Sequence, residues 1–333
     1  MKLKEGKLPI DLLQKFLRIL PSSSEKIKIK PGAGADSAVI DAEDYYIVVS
    51  QDPITFTEKD IGYYSVMVNA NDVVCMGAKP EFFLFTLLLP QGISEVKIRE
   101  IFKEVSKICK KLSISVIGGH TEITPFLKRT IISGTMIGLR KKSDGIFPKR
   151  VRKGDYLICV KEVPIEGISI IAKEKKNDLK GLIDDKLIER FKKYHLNPGI
   201  GIIKEGLLLL KNKNVCALHD PTESGIFNGI YEFCEFLNLG VVVFEDRIPV
   251  IKNAKKIFDY FNIDPLKTIS SGSLLVAVKK EGISEVEDLL KKNRIKYSII
   301  GEFRDKKYGR RMITENGREI MIFSCQDEIS KIF

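Results

Sequence analysis

The sequence predicts an α+β protein built from two domains. Three observations lead there. The chain has 333 residues, more than one hydrophobic core ordinarily organises. In both halves, apolar segments of strand length alternate with segments whose apolar residues recur at helical spacing. One stretch, RKKSDGIFPKRVRKGD at 140–155, breaks that alternation with charge, Gly and Pro. That break sets the junction between domains at 1–148 and 149–310, the residues 311–333 being set apart as a tail.

The first helix is predicted over 9–20, where Ile10, Leu13, Phe16, Leu17 and Leu20 share a face and Pro21 stops the run. Residues 46–50 read as a strand. Thr57 is placed as the cap of a helix over 58–76, which Gly77 and Pro80 end. Residues 82–89 are one continuous apolar strand, 94–112 an amphipathic helix, 114–117 a buried strand and 130–139 a further strand. The expected layer is a mixed sheet with helices on one face. The second half restarts with a strand at 156–160 and helices over 166–174, 183–194 and 199–211. A short strand at 215–218 runs into HDPTESG and a helix to about 237. Strands at 240–244, 273–278 and 297–301 and a helix at 283–293 complete it.

Composition excludes several classes. A 44% hydrophobic and 30% charged chain is that of a soluble globular protein, and no apolar run approaches the roughly 20 residues that span a bilayer. MKLKEGKLPI has neither an apolar core nor a small-residue cleavage site, so the cytoplasm is expected. The net charge of +11 comes from lysines interleaved with glutamates, as in KEVSKICKK, the pattern of solvated helix faces. With no nucleic-acid motif and no aromatic-basic segment, neither nucleic acid nor membrane is expected as a partner. The six cysteines form no CxxC pair; five read as buried thiols, and Cys325 lies in a polar stretch, FSCQDE.

Five polar clusters interrupt apolar segments: GAGADSAVI (32–40), SQDPITF (50–56), NANDVVCMGAKP (69–80), GGHTEITP (118–125) and HDPTESG (219–225). Asp36 follows glycines that let backbone approach a ligand, though on local sequence a turn aspartate is the more ordinary reading. Asp52, just before Pro53, has the same two readings. Asn69 and Asp72 are three apart and share a helix face among apolar residues, so Asp72 needs solvent, a hydrogen-bond partner or a cation. Gly118 and Gly119 suit an irregular turn beside a ligand or any tight connection. His120 reads as a hydrogen-bonding group and Glu122 as a metal or water ligand. Asp220, Pro221 and Glu223 form an aspartate version of a capping box, whose free amides also suit an anion. There is no GxxxxGK[ST], HExxH or GxSxG, and GIGIIKEG lacks the third glycine of a dinucleotide fingerprint.

In this order, the five clusters resemble the superfamily of aminoimidazole ribonucleotide synthetase, selenophosphate synthetase, thiamine-monophosphate kinase and HypE, and most of all HypE-like proteins related to the synthetase. The resemblance spans roughly residues 1–310. It implies an N-terminal α+β domain that pairs into a homodimer through a shared β-barrel, and a larger C-terminal α+β domain. It implies ATP in a cleft between domains and protomers, under a glycine-rich segment containing Gly32 and Gly34. Asp36, Asp52, Asp72 and Asp220 then match Mg²⁺-binding positions. Asn69, Gly118, Gly119 and Thr121 match nucleotide-facing ones, and His120 and Glu122 are the catalytic candidates.

The implied reaction is Mg-ATP-dependent phosphoryl transfer to an oxygen of a small-molecule or protein-borne substrate. Two alternatives are HypE's own thiocyanate formation on a carbamoylated cysteine, and a non-enzymatic nucleotide-binding partner of a maturation protein. HypE ends in Pro-Arg-Ile-Cys, whereas this sequence reads SCQDEISKIF from Ser324, which argues against cyanide chemistry at Cys325. Ile329, Ile332 and Phe333 are expected to form a short apolar turn that packs onto the body and tethers the cysteine.

Overall fold

A computed structural model describes residues 7–30, 32, 34–55 and 57–333, apart from the side chain of Asp11. Pro31 and Ala33 of the glycine-rich segment lie outside the described residues. The chain divides into two compact units. The N-terminal unit comprises Ser22–Lys30 and the described part of Asp36–Ile146; the C-terminal unit comprises the described parts of Met1–Pro21 and Pro31–Ala35, together with Phe147–Phe333. Helix α1 (Ile10–Leu17) belongs to the latter.

The N-terminal unit runs β1 (Ile27–Ile29), β2 (Ala38–Ala42), β3 (Tyr45–Ile54), α2 (Ile61–Cys75), β4 (Lys79–Pro90), α3 (Glu95–Leu112), β5 (Ser115–Thr124) and β6 (Ile131–Lys141). Its six strands are ordered β1-β2-β3-β6-β4-β5, antiparallel except for the β4–β5 pair. Helix α2 packs on β3, β6 and β4, and α3 packs on α2 and β5. Thirteen residues of α2 are buried, so it shows no clean polar stripe in sequence. The two helices approach closely at Gly62, where a Cβ would lie 2.7 Å from the Ile101 carbonyl. Glu104 of α3 accepts from the Gly62 amide at 2.9 Å, satisfying a first-turn donor of α2. At the other end of α2, Arg140 donates to the Gly77 carbonyl at 2.7 Å, placing a cation where the helix dipole favours one.

Several expected boundaries move. Helix α2 starts at Ile61 after Asp60 in a left-handed conformation, so Thr57 is not its cap. The Thr57 hydroxyl instead accepts from the Lys59 amide at 3.1 Å. Strand β3 continues past Ser50 to Ile54, placing Asp52 opposite Gly134 inside the sheet. The segment expected as a short buried strand at 114–117 is the start of a ten-residue strand, β5, exposed along nearly all its length at the sheet edge.

The C-terminal unit continues β7 (Tyr156–Val160), α4 (Ile165–Glu174), α5 (Lys176–Leu179), α6 (Asp185–Phe191), α7 (Ile203–Leu209), β8 (Val215–His219), α8 (Gly225–Leu237), β9 (Gly240–Phe244), α9 (Lys255–Phe261), β10 (Leu274–Val278), α10 (Ile283–Lys292), β11 (Tyr297–Arg304), β12 (Arg310–Ile313) and β13 (Glu319–Met321). These strands form a seven-stranded sheet, β13-β12-β9-β11-β7-β10-β8. Every residue of β8 and β10 is buried, as expected of strands covered on both faces. Phe227, Ile230 and Phe233 of α8 join Leu157, Val243 and Phe303 in one core. Strands β12 and β13 extend this sheet through residues that the sequence had set apart as a tail. Among the described residues no helix is long and apolar enough to cross a membrane.

Candidate functional site

The two periodicities of strand and helix bring three of the predicted residues together. On β3, alternation puts Val48, Ser50, Asp52 and Ile54 on one face, the face against which α2 packs. On α2, Asn69 and Asp72 lie one turn apart on the side facing that strand. The Ser50 hydroxyl donates to Asp72 Oδ2 at 2.5 Å. Asn69 Oδ1 accepts from the Asp52 amide at 2.8 Å, and its Nδ2 donates to the carbonyls of Ser65 at 2.8 Å and Asp52 at 3.3 Å. Asn69 is fully buried and Asp72 is 5% exposed. Gly134, across from Asp52, makes room for this arrangement: a Cβ there would lie 2.8 Å from Asn69 Nδ2. The outcome is a buried polar pair of contacts that fixes Asp52 and Asp72 on adjacent elements.

The GGHTE segment is not a turn. Gly118 and Gly119 sit within β5 at φ +156° and +148°, conformations that side chains rarely adopt. The pairing with β4 shifts by one residue at Phe83 and Leu84, so the glycines mark a bulge. His120 and Glu122 share one face, with Nε2 and Oε2 3.6 Å apart. Thr121, between them, faces the other way. Asp36 is half-buried just before β2. Gly34 belongs to the C-terminal unit, where its φ is +76° and an added Cβ would strike the Glu232 carbonyl at 2.2 Å; Gly32 is exposed.

In the C-terminal unit, Asp220 directly follows β8 and is 2% exposed. The expected capping box does not form. Helix α8 begins at Gly225, and its N-cap is Ser224, left-handed at φ +63° with no side-chain cap bond. Residues 220–224 are therefore a loop, held in part by Lys7. Its Nζ donates to Thr222 Oγ1 at 3.2 Å and pairs with Glu223 at 3.1 Å and Glu232 at 3.6 Å. Burial acts to raise the Glu232 carboxyl, but Lys7 and His219 outweigh it and hold it down to about 2. The His219 ring stacks on Phe233 with centroids 5.5 Å apart. Sequence reasoning missed Ser50 and Lys7. Ser50 was findable from its position two residues before Asp52 on a strand; Lys7 carries no local signal.

Five cysteines are buried and all six are free. Burial pushes the thiols of Cys159 and Cys234 up to about 12 and that of Cys325 up to about 11. None of these three is poised as a thiolate at neutral pH.

Residues 34–140 match the model of the AIR synthase related protein N-terminal domain, and residues 152–313 that of the AIR synthase related protein C-terminal domain. The chain belongs to the AIR synthase related family. It is 28% identical to a hydrogenase expression/formation protein of Methanocaldococcus jannaschii, covering 89% of this chain and 88% of that one. It is 26% identical to the thiamine-monophosphate kinase of Buchnera aphidicola, covering 93% and 95%. Among solved structures, the HypE–HypF complex gives a TM-score of 0.73 at 19% identity, covering 94% of this chain and 99% of that one. HypE in complex with ATP gives 0.67 at 18% identity, covering 95% and 91%. The fold is thus that of HypE and the synthetase.

Proposed function

We propose that the protein is a Mg-ATP-dependent enzyme that transfers a phosphoryl group to an oxygen of a small-molecule or protein-borne substrate in the cytoplasm. The carrying observation is the buried polar set on β3 and α2. An aspartate in so apolar a helix is costly without compensation, and the Ser50 hydroxyl is one of the groups that hold it in place. Carboxylate oxygens are the hard ligands Mg²⁺ takes, and the family resemblance assigns metal binding to Asp36, Asp52 and Asp72 of the N-terminal unit and to Asp220 of the C-terminal unit. Bound Mg²⁺ would neutralise and orient the triphosphate, whose transfer depends chiefly on positioning and charge stabilisation. Asn69 keeps Asp52 in place; Gly32, Gly34, Gly118, Gly119 and Thr121 are assigned to the nucleotide, and His120 and Glu122 to the acceptor. The ATP-bound HypE structure and the kinase relative support this reading. The hydrogenase-formation relative and the HypE–HypF complex support a protein-borne acceptor presented by a maturation partner.

The test is ATP turnover with and without Mg²⁺. Turnover is expected to require Mg²⁺ and to survive Cys325→Ser, because Cys325 packs against the core of the C-terminal unit. Absence of turnover across candidate acceptors, with nucleotide still bound, would favour a non-enzymatic partner. A carboxamide on Cys325 after incubation with a carbamoyl transferase, carbamoyl phosphate and ATP, seen by mass spectrometry, would instead make the reaction HypE's own.

The same reading includes a homodimer through the N-terminal units. Strand β5 is an edge with Val116, Ile117 and Ile123 48%, 55% and 57% exposed. An apolar edge of this length is ordinarily covered. On the sheet face away from α2, Leu84, Leu88, Ile131 and Ile137 are only half-buried. Sedimentation is expected to show a dimer, and a monomer at micromolar concentration would sink the assignment.

A further inference from the structure

Beyond β13 the chain contributes only a short turn, Glu328–Ile332, yet it is anchored at many points on the unit that carries Asp220. Ile322 and Ile329 are 2% and 5% exposed. The ring of Phe323 meets that of Phe227 edge-on, with centroids 5.5 Å apart. The Cys325 carbonyl accepts from the Ser224 hydroxyl at 2.8 Å, and Glu328 accepts from the Asp264 amide at 2.8 Å. Asp327 is the centre of the arrangement. One of its oxygens accepts from the Ser224 amide at 2.6 Å; the other accepts from the amides of Ile329 at 2.9 Å and Ile269 at 3.3 Å.

Ser224 is where the loop from Asp220 turns into α8. Its left-handed backbone is unfavourable for a residue with a Cβ, by about 1 kcal/mol, and its side chain is engaged by Cys325 instead of capping the helix. The carboxylate that a helix N-terminus attracts is therefore supplied from 103 positions away. The second loop that Asp327 holds, at Ile269, is tied to the first where the Ser270 amide donates to the Thr222 carbonyl at 3.1 Å. Burial, opposed by its backbone partners, pushes the Asp327 carboxyl up to about 6, so it is largely ionised at neutral pH.

We propose that Asp327 is a positioning residue, which fixes the loop between Asp220 and α8 by accepting from the Ser224 and Ile269 amides. The segment around Cys325 is accordingly a fixed clamp on that loop and not a travelling carrier. The consequence for nucleotide rests on the Mg-ATP reading of Asp220; the clamp itself does not. In Asp327→Ala, three amides lose their acceptor, whereas Asp327→Asn keeps one oxygen in place.

The experiment uses the full chain. Hydrogen exchange is followed by mass spectrometry on peptides spanning 220–226 and 266–271, alongside calorimetric titration with Mg-ATP. In Asp327→Ala, exchange in both peptides is expected to rise about tenfold or more, as local opening becomes cheaper. Mg-ATP affinity is expected to fall about tenfold, the scale of losing an outer-sphere support. Asp327→Asn, whose one oxygen can serve either the Ser224 amide or the Ile269 amide while its NH2 faces the other, should restore protection in one of the two peptides and recover the affinity only in part. Wild-type exchange in Asp327→Ala would overturn the clamp, and faster exchange with unchanged affinity would overturn the positioning role. If the wild-type chain binds no Mg-ATP, the nucleotide reading fails, and exchange alone decides the clamp.

Discussion

Asp72→Asn is expected to leave the fold intact and to weaken Mg-ATP binding by about 100-fold or more, read by calorimetry. Supporting residues around a metal typically contribute 10–100-fold, and a direct ligand belongs at or beyond the upper end. The substitution isolates charge from shape. An amide oxygen at this position still accepts from the Ser50 hydroxyl, which now donates to Asp72 at 2.5 Å, and the side chain keeps its volume beside fully buried Val73. What disappears is the negative charge that would hold a divalent cation. Affinity equal to wild type, with an unchanged melting temperature, would remove Asp72 from the metal site.

The second large effect is on stability. Asn69→Asp changes one atom, from the Nδ2 that donates to the Ser65 and Asp52 carbonyls to an oxygen facing both. Two buried acceptors would then confront a third, and a charge would enter a site that is 0% exposed. A loss of about 2–4 kcal/mol is expected in urea denaturation, combining unsatisfied polar groups with an uncompensated buried charge. A change below about 0.5 kcal/mol would show that the Asn69 bridge to Asp52 contributes little.

The elements read correctly from sequence were those whose burial follows a period. Helix α3 is one: the amphipathic stretch read over 94–112 is the helix Glu95–Leu112, with Ser94 as its N-cap. The α2 cluster was legible on other grounds: Asn69 and Asp72, three apart, share a face of any helix, although this helix is buried nearly all round. Strand β5 was legible only in its first residues. At a sheet edge with both faces open, HTEIT carries no apolar alternation, and paired glycines look the same in a turn as in a bulge. The α8 cap was illegible for a different reason. HDPTE satisfies a local capping rule, but Asp327 and Lys7 compete for the same loop from distant parts of the chain, and no window around residue 220 contains either. Strands β12 and β13, at four and three residues and carrying charge, fall below the length at which periodicity can be read.

Strand β5 also separates two properties that usually travel together, accessibility and permissiveness. Gly119 lies open to solvent, where substitutions ordinarily cost little stability. Here a methyl group would arrive 2.0 Å from the Phe85 carbonyl oxygen of the neighbouring strand, on a backbone whose φ of +148° already disfavours any L side chain. Gly118, next to it, has open space around its would-be Cβ, so within the chain it is its φ of +156° and not packing that restricts it. A library that randomised this exposed edge would thus return a hard constraint at 119 and a softer one at 118, with the surrounding His120, Thr121 and Glu122 left to vary as far as their chemistry allows.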